Sequence, residues 1–189
     1  FTNTGRVYKL KCYEIPEASR TARGMAIINL LQLQPGEKVT TMVHFADFDE
    51  DRNLIMATKK GTIKKTPLSA YMNIRKTGIQ AITLRDDDEL IEVKVSDCEQ
   101  NVLMLTKKGQ AIKFAEKDIR ETGRSAMGVK GITLRNGDEV VAMQLETQGE
   151  YITFVSANGY GKRNRFTDFK LQNRGGKGVK CYNLSLIHI

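Results

Sequence analysis

The sequence predicts an all-β protein of about four propeller-like blades, each a four-stranded antiparallel sheet. Three observations predict it. Paired glycines recur four times at a period of about 50 residues, a spacing that belongs to blade arrays. Short apolar runs ended by polar turns fill each period, as buried strands require. Helix signals are nearly absent: Pro67-Leu68-Ser69-Ala70-Tyr71 reads as one turn at most. The chain has no Trp, which excludes the WD type of blade.

The repeat is read from its glycines. A polar turn precedes the first glycine of each unit: Thr2-Asn3-Thr4-Gly5, Thr58-Lys59-Lys60-Gly61, Thr106-Lys107-Lys108-Gly109 and Ser156-Ala157-Asn158-Gly159. The second glycines are Gly24, Gly78, Gly128 and Gly178. Four places beyond them stand Ile28, Ile82, Ile132 and Tyr182; five places beyond, Asn29, Thr83, Thr133 and Asn183; six places beyond, Leu30, Leu84, Leu134 and Leu184. These columns divide a single domain fragment, residues 1–184, into units 1–53, 54–100, 101–150 and 151–184.

Within the units, Leu54–Ala57, Val102–Leu105 and Tyr151–Val155 are the strands ending at the first turn. Asn158-Gly159 is a two-residue hairpin signal with both turn positions at positive φ. A second hairpin falls at Gln34-Pro35-Gly36-Glu37, Arg85-Asp86-Asp87-Asp88-Glu89 and Arg135-Asn136-Gly137-Asp138-Glu139. Strands Val39–Val43, Leu90–Val95 and Val140–Leu145 follow it. Met25, Met42, Met56, Met104 and Met143 fall in strand runs and read as core. The first unit lacks its opening strand and the fourth its close. Residues 185–189 break the pattern and read as a non-native or truncated tail.

The chain carries 30 Lys+Arg against 22 Asp+Glu, a net charge of +8. That excess favours a polyanionic partner. No apolar run is long enough for a membrane span, so no membrane partner is expected. The charge keeps register with the repeat. Four places after the first glycine stand Lys9, Lys65, Lys113 and Arg163; four before the second stand Arg20, Arg124 and Arg174, with Arg75 one place later in its unit. Scattered solubility charges need not do this, and a basic stripe along one edge of the array would track a phosphate backbone without reading bases. The candidate DNA-binding residues are Lys9, Arg20, Arg23, Lys64, Lys65, Arg75, Lys76, Lys113, Arg124, Lys130, Lys162, Arg163, Arg165, Arg174, Lys177 and Lys180.

The sharpest local motif is Gln172-Asn173-Arg174-Gly175-Gly176-Lys177-Gly178. Its glycines allow close backbone approach to a phosphate, while Arg174 and Lys177 supply charge. It is not a nucleotide P-loop, because no Ser or Thr follows the lysine. Cys12, Cys98 and Cys181 lie far apart and form neither a disulfide framework nor a zinc site, which fits a reducing cytoplasm. His44 beside Val43 and Phe45 reads as structural, and Asp86 to Glu89 as solvated turn residues. No catalytic or metal-binding residue is assigned.

The motif resembles the gyrase A box, Q-R-R-G-G-(K/R)-G, of the DNA gyrase A C-terminal domain family, with Asn173 where the box has Arg. Gly159-Tyr160-Gly161-Lys162-Arg163, Tyr13-Glu14-Ile15-Pro16-Glu17, Arg20-Thr21-Ala22-Arg23-Gly24 and Gly128-Val129-Lys130-Gly131-Ile132 are similar to that family too. The resemblance implies a β-pinwheel, usually of six blades, that wraps duplex DNA around a basic rim. It also implies partnership with the rest of the gyrase A protein and with gyrase B in the bacterial cytoplasm at the nucleoid. ATP and Mg would be used elsewhere in that enzyme, with no cofactor in this chain. The intact family box lies in a first blade, so this copy is a degenerate one of a later blade. The alternatives are the equivalent domain of topoisomerase IV and a propeller used for protein–protein contacts.

Overall fold

The computed structural model describes residues 1–44, 51–97 and 99–182. The expected tail at 185–189, Asn183, Leu184, Cys98 and His188 lie outside the described residues. The described chain is all-β with short 3-10 turns, one of them at Leu68–Tyr71. Its strands are β1 (Arg6–Val7), β2 (Asn53–Thr58), β3 (Thr62–Pro67), β4 (Ile79–Gln80), β5 (Leu90–Ser96) and β6 (Asn101–Thr106). They continue as β7 (Gln110–Ala115), β8 (Val129–Lys130), β9 (Val140–Leu145), β10 (Tyr151–Val155), β11 (Gly161–Arg165) and β12 (Val179–Lys180).

Two four-stranded antiparallel sheets run β5-β2-β3-β8 and β9-β6-β7-β12, flanked by the pairs β1-β4 and β10-β11. Three strands of each large sheet come from one sequence repeat. The fourth comes from the next: β8 pairs with β3 through Thr62–Lys130 and Ile63–Val129, and β12 pairs with β7 through Val179–Ala111 and Lys180–Gln110. The β1-β4 pair repeats this exchange one unit earlier. Spatial blades are thus displaced by one strand from the sequence period.

The central strands read as near-continuous apolar runs because both of their faces are covered. Successive side chains of a strand point to opposite faces. Ile55 and Ala57 of β2 therefore enter one core with Val102 and Met104 of β6, and with Ile112, Phe114 and Met143. Leu54 and Met56 enter another, with Val7, Leu68, Tyr71, Ile82 and Val93. Leu103 and Leu105 enter a third, with Phe166 and Phe169. Met56, Met104 and Met143 are fully buried, as expected of core residues. Met25 and Met42 are exposed instead, because they lie in stretches with no sheet against them. Val39–Val43 likewise is not a strand; Val39 makes a single bridge to Thr2.

The turns differ from expectation in one respect. Asn158 does not take positive φ; Gly159 alone does, at φ 81. The turn closes from Gly159 N to Ser156 O at 2.9 Å, so the glycine follows the turn and does not occupy its centre. The second hairpin has positive φ at Gly36, Asp87 and Gly137, the third turn position, as a type II turn demands. The acid after it is not solvated. Asp88 Oδ1 accepts from Lys60 N at 2.8 Å and from Glu89 N at 2.9 Å. Asp138 accepts from Thr106 Oγ1 at 2.7 Å and from Lys108 N at 2.9 Å. Glu37 accepts from Thr2 Oγ1 at 2.6 Å. Burial pushes the Glu37 carboxyl up, but hydrogen bonds from Gln34 N, Thr2, Tyr8 and Thr4 outweigh it and hold it below the usual range. Each acid thereby fastens the two hairpins of its blade together.

The first glycine of a repeat also fastens blade to blade. Gly61 O accepts from Gly131 N at 2.8 Å and Ile132 N at 3.2 Å. Gly5 O does the same for Ala81 and Ile82, and Gly109 O for Cys181 and Tyr182. A Cβ added to Gly61, at φ +86, would sit 2.9 Å from the Ile132 carbonyl oxygen. A Cβ on Gly159, at φ +81, would meet nothing within 4 Å. Gly159→Ala should therefore cost only the left-handed strain of about 1 kcal/mol. Gly61→Ala should cost about 1–3 kcal/mol more, because the neighbouring strand must also move. Urea unfolding of the two variants beside the unaltered chain measures that difference.

Candidate nucleic-acid interface

The segments before Gly128 and Gly178 lie on the preceding blade. Thr122 N donates to Lys65 O at 2.9 Å, and at the matching place one repeat on Gln172 N donates to Lys113 O at 2.8 Å. Thr83 Oγ1 donates to Ser125 O at 2.7 Å, and Thr133 Oγ1 to Gly175 O at 2.6 Å. Gly175 N further donates to Gly131 O at 2.8 Å. Two loops, 122–128 and 172–178, are thus held in the same pose, each presenting basic residues at a blade boundary.

Among the sequence-predicted residues, Lys9, Arg20, Arg23, Arg75, Lys76, Arg124, Lys130, Lys162, Arg163, Arg165, Lys177 and Lys180 are exposed. Lys65 and Arg174 are half-buried. Lys64 and Lys113 are buried, which removes them from the interface. Their strands lie between others, so a side chain there meets protein on its face of the sheet. Lys64 Nζ donates to Ala81 O at 2.6 Å and to Arg124 O. Burial, aided by the neighbouring Arg124 charge, pushes its pKa down to about 8. Lys113 Nζ donates to Phe166 O at 3.2 Å and lies over the Phe166 ring. Both lysines brace the loop side of the blade from within.

Arg174 is also a brace. Its Nε donates to Asp118 O at 2.9 Å and its Nη1 to Lys130 O at 2.5 Å, tying the box-like loop to the preceding repeat. Asn173 is exposed and Gln172 half-buried; Gly175, Gly176 and Gly178 are half-buried and Lys177 is exposed. A Cβ on Gly178 would lie 2.6 Å from Ala111 O, so that glycine serves packing against β7.

The structure brings some basic residues together. Arg75 and Arg124, from adjacent repeats, line one open cleft with Asn73, Ile74, Ile79 and Gln80. Two guanidiniums beside two carboxamides and no carboxylate make a setting for a phosphate oxygen. Lys130 and Lys180 occupy matching exposed places on β8 and β12. Arg163 and Arg165 lie over the Tyr151 ring, at 4.7 and 5.9 Å from its centroid. Lys9, Arg20 and Arg23 belong instead to a stretch at the start of the chain that lies largely on the surface. Sequence reasoning passed over Tyr151, whose signal was its placement opposite Arg165 in a hairpin that also carries Arg163. It also passed over the exposed pair Arg120 and Lys170, matching residues four places before Arg124 and Arg174.

At the other end of the two four-stranded blades, lysines are matched by acids and carbonyls. Lys59 bridges Glu89 and Glu139 at 3.6 Å each, and Lys107 meets Glu139 at 2.9 Å. Lys60 and Lys108 donate to the carbonyls of Asp86 and Asn136 at 2.8 Å. The Lys107 hydrogen bond holds the Glu139 carboxyl below its ordinary value. Free positive charge is left at the loop end, where it can neutralise phosphates without reading bases. Among the described residues no three His, Cys, Asp or Glu side chains gather to hold a metal ion.

The two loop cations should separate in a variant pair. Arg174→Ala removes two charge-assisted bonds and should cost about 1–2 kcal/mol, seen as a drop of a few degrees in melting temperature. Lys177→Ala should leave melting within about 0.5 kcal/mol of the unaltered chain. Calorimetry on both reads the contrast; equal losses would refute the assignment of Arg174 as the brace.

A family model described as "DNA gyrase C-terminal domain, beta-propeller" matches residues 1–44, 52–97, 100–145 and 150–185. The A subunit of DNA gyrase from Clostridium acetobutylicum is 56% identical over 185 residues, 98% of this chain and 22% of that protein. The chain thus spans about a fifth of that relative. Among solved structures, the C-terminal domain of DNA topoisomerase IV aligns at TM-score 0.86 and 28% identity, covering 95% of this chain and 56% of that one. The DNA gyrase A C-terminal domain aligns at TM-score 0.79 and 29% identity, covering 94% and 57%.

Proposed function

Because this chain belongs to the DNA gyrase C-terminal domain family, we propose that it binds duplex DNA along the loop ends of its blades and bends it across successive blade boundaries. The observation that supports this reading most is the division of charge. Lysines at the turn ends are matched by Glu89 and Glu139. Arg75, Arg124 and Lys177 stand exposed on or beside the loops, and Lys130 and Lys180 stand exposed on the exchanged strands. Cations recurring from blade to blade favour a long, smooth contact with a polyanion.

In a longer gyrase A protein the contact would feed wrapped DNA to a strand-passage centre, working with gyrase B and driven by ATP, toward negative supercoiling. This segment would supply binding and curvature and no bond chemistry, and would need neither ATP nor Mg. Its setting would be the bacterial cytoplasm at the nucleoid. No helix among the described residues is long and apolar enough to cross a membrane. The fold is shared with topoisomerase IV, but the 56% identity lies with a gyrase A protein.

Binding should weaken steeply with salt, with a log–log slope of about −0.9 per phosphate neutralised, and roughly a thousandfold between about 50 and 200 mM for some six contacts. Two duplexes of equal length and unrelated sequence should bind alike. Fluorescence anisotropy across a salt series tests both, and an affinity indifferent to salt would overturn the proposal in favour of a protein partner. Arg75→Glu with Arg124→Glu should weaken binding by about tenfold or more, as lost phosphate contacts accumulate.

A further inference from the structure

Lys64 is a buried charge without a counter-charge. It lies on β3, between β2 and the exchanged strand β8, with 0% exposure. No carboxylate among the described residues pairs with it, and a buried ammonium in that state costs stability. Its donors go to two carbonyls that belong to different blade junctions. Ala81 O is on the stretch whose amide donates to Gly5 O, and it also accepts from Tyr71 Oη at 3.1 Å. Arg124 O is on the loop that the next repeat brings over the blade. Gly128 lets that loop descend onto the lysine: a Cβ there would lie 3.0 Å from the Lys64 Cβ and 2.6 Å from Ile63 O.

The other ties of this loop avoid Arg124. Thr122 N donates to Lys65 O, Thr83 Oγ1 to Ser125 O and Thr83 N to Ala126 O. Among the described residues only Lys64 hydrogen-bonds to Arg124, and it does so through the backbone. The Arg124 guanidinium makes no bond to protein among those residues and stands exposed in the cleft with Arg75. One repeat on, the arrangement is inverted. Three places after the first glycine, where the second repeat has Lys64, the third has Ile112, which carries no donor. The matching arginine, Arg174, is half-buried and spends its own guanidinium on Asp118 O and Lys130 O. Each loop has one cation as its brace, and only where Lys64 serves is the arginine released.

On the reading that this face binds DNA, we infer that Lys64 is a positioning residue for the phosphate contact: it carries the Arg124 backbone from beneath and leaves the guanidinium to meet a phosphate oxygen. A loop fixed before binding loses less freedom when the contact forms. The brace is also sensitive to mild alkali, because burial and the Arg124 charge bring the Lys64 pKa down to about 8. The elements around Lys64 bring Tyr71 from the 3-10 turn, Lys130 from β8 and Arg124 from the loop, whereas β2 and β4 bring no titratable side chain. Burial pushes the Tyr71 hydroxyl above its ordinary value, so it keeps its proton through that range. When Lys64 loses its proton, its bond to Arg124 O loses charge assistance.

Fluorescence anisotropy with a labelled duplex at fixed, moderate salt tests this in a cycle of variants. Lys64→Met keeps the stem, removes the donor and should weaken binding by about threefold or more. In an Arg124→Ala chain the same substitution should weaken it no further, because Lys64 acts through Arg124. Lys130→Ala removes a separate contact, and its loss should multiply with that of Arg124→Ala. A second arm leaves the core untouched. Between about pH 7 and about pH 9 the unaltered chain should lose about threefold in affinity, and the Arg124→Ala chain should not. Unfolding would not mimic this: the folded pKa of Lys64 lies below its ordinary 10.5, so this group makes the fold more stable as pH rises past about 8. An unchanged affinity in Lys64→Met, losses that multiply with Arg124→Ala, a flat pH profile, or a profile that survives Arg124→Ala would each overturn the positioning role while DNA binding stands. A salt-indifferent affinity of the unaltered chain would instead remove the DNA reading on which that role rests.

Discussion

The whole array depends on one shared acceptor, the carbonyl oxygen of a glycine that ends the first turn of a repeat. Gly5, Gly61 and Gly109 each take two N–H groups from the repeat that follows. The acceptor can be approached so closely because there is no side chain beside it. The short exchanged strands β4, β8 and β12 then find their register on the blade before. Such two-residue strands carry too few hydrogen bonds to stand alone. They are held because the same stretch buries Ile82 or Ile132 and is tied to the loop of the next repeat through Thr83 or Thr133.

That junction also arranges the charge. Acids at the second hairpin are spent on the turn beside them: Asp88 on Lys60, Asp138 on Lys108 and Thr106. Glutamates next to them pair with Lys59 and Lys107. The opposite end receives the incoming loop, where Arg124 and Lys177 stand exposed in company with the exposed acids Asp118 and Glu121.

Most of the fold was legible because it repeats. The central strands declared themselves as apolar runs, since both faces of β2 and β6 are covered and neither alternates. The exchange was not legible. Val129-Lys130 and Val179-Lys180 are too short to carry a period, and their partners lie in another repeat. Of the candidate basic residues read from the sequence, most are exposed as an interface would need, and two are buried. Lys113 shares the basic column of Lys65 and Arg163, and Lys64 stands one place before that column, yet both are buried and bonded to carbonyls of neighbouring segments. Charge in a sequence column marks a place in the repeat; what packs over that place is set by segments distant in sequence, Ala81 and Arg124 for Lys64 and Phe166 for Lys113. Val39–Val43 failed for the converse reason: its apolar residues look like a strand, but it meets only the short stretch Phe1–Thr2, too little to make a ladder.

Strand exchange gives the array a direction in time. The blade led by β2 and β3 cannot close until β8 has been made, and the blade led by β6 and β7 must wait for β12. On a ribosome, which delivers the chain from its first residue, the front of completed structure trails synthesis by one repeat. The unfinished edge at that front is the apolar surface a chaperone would meet, and it is covered and reopened each time another repeat emerges.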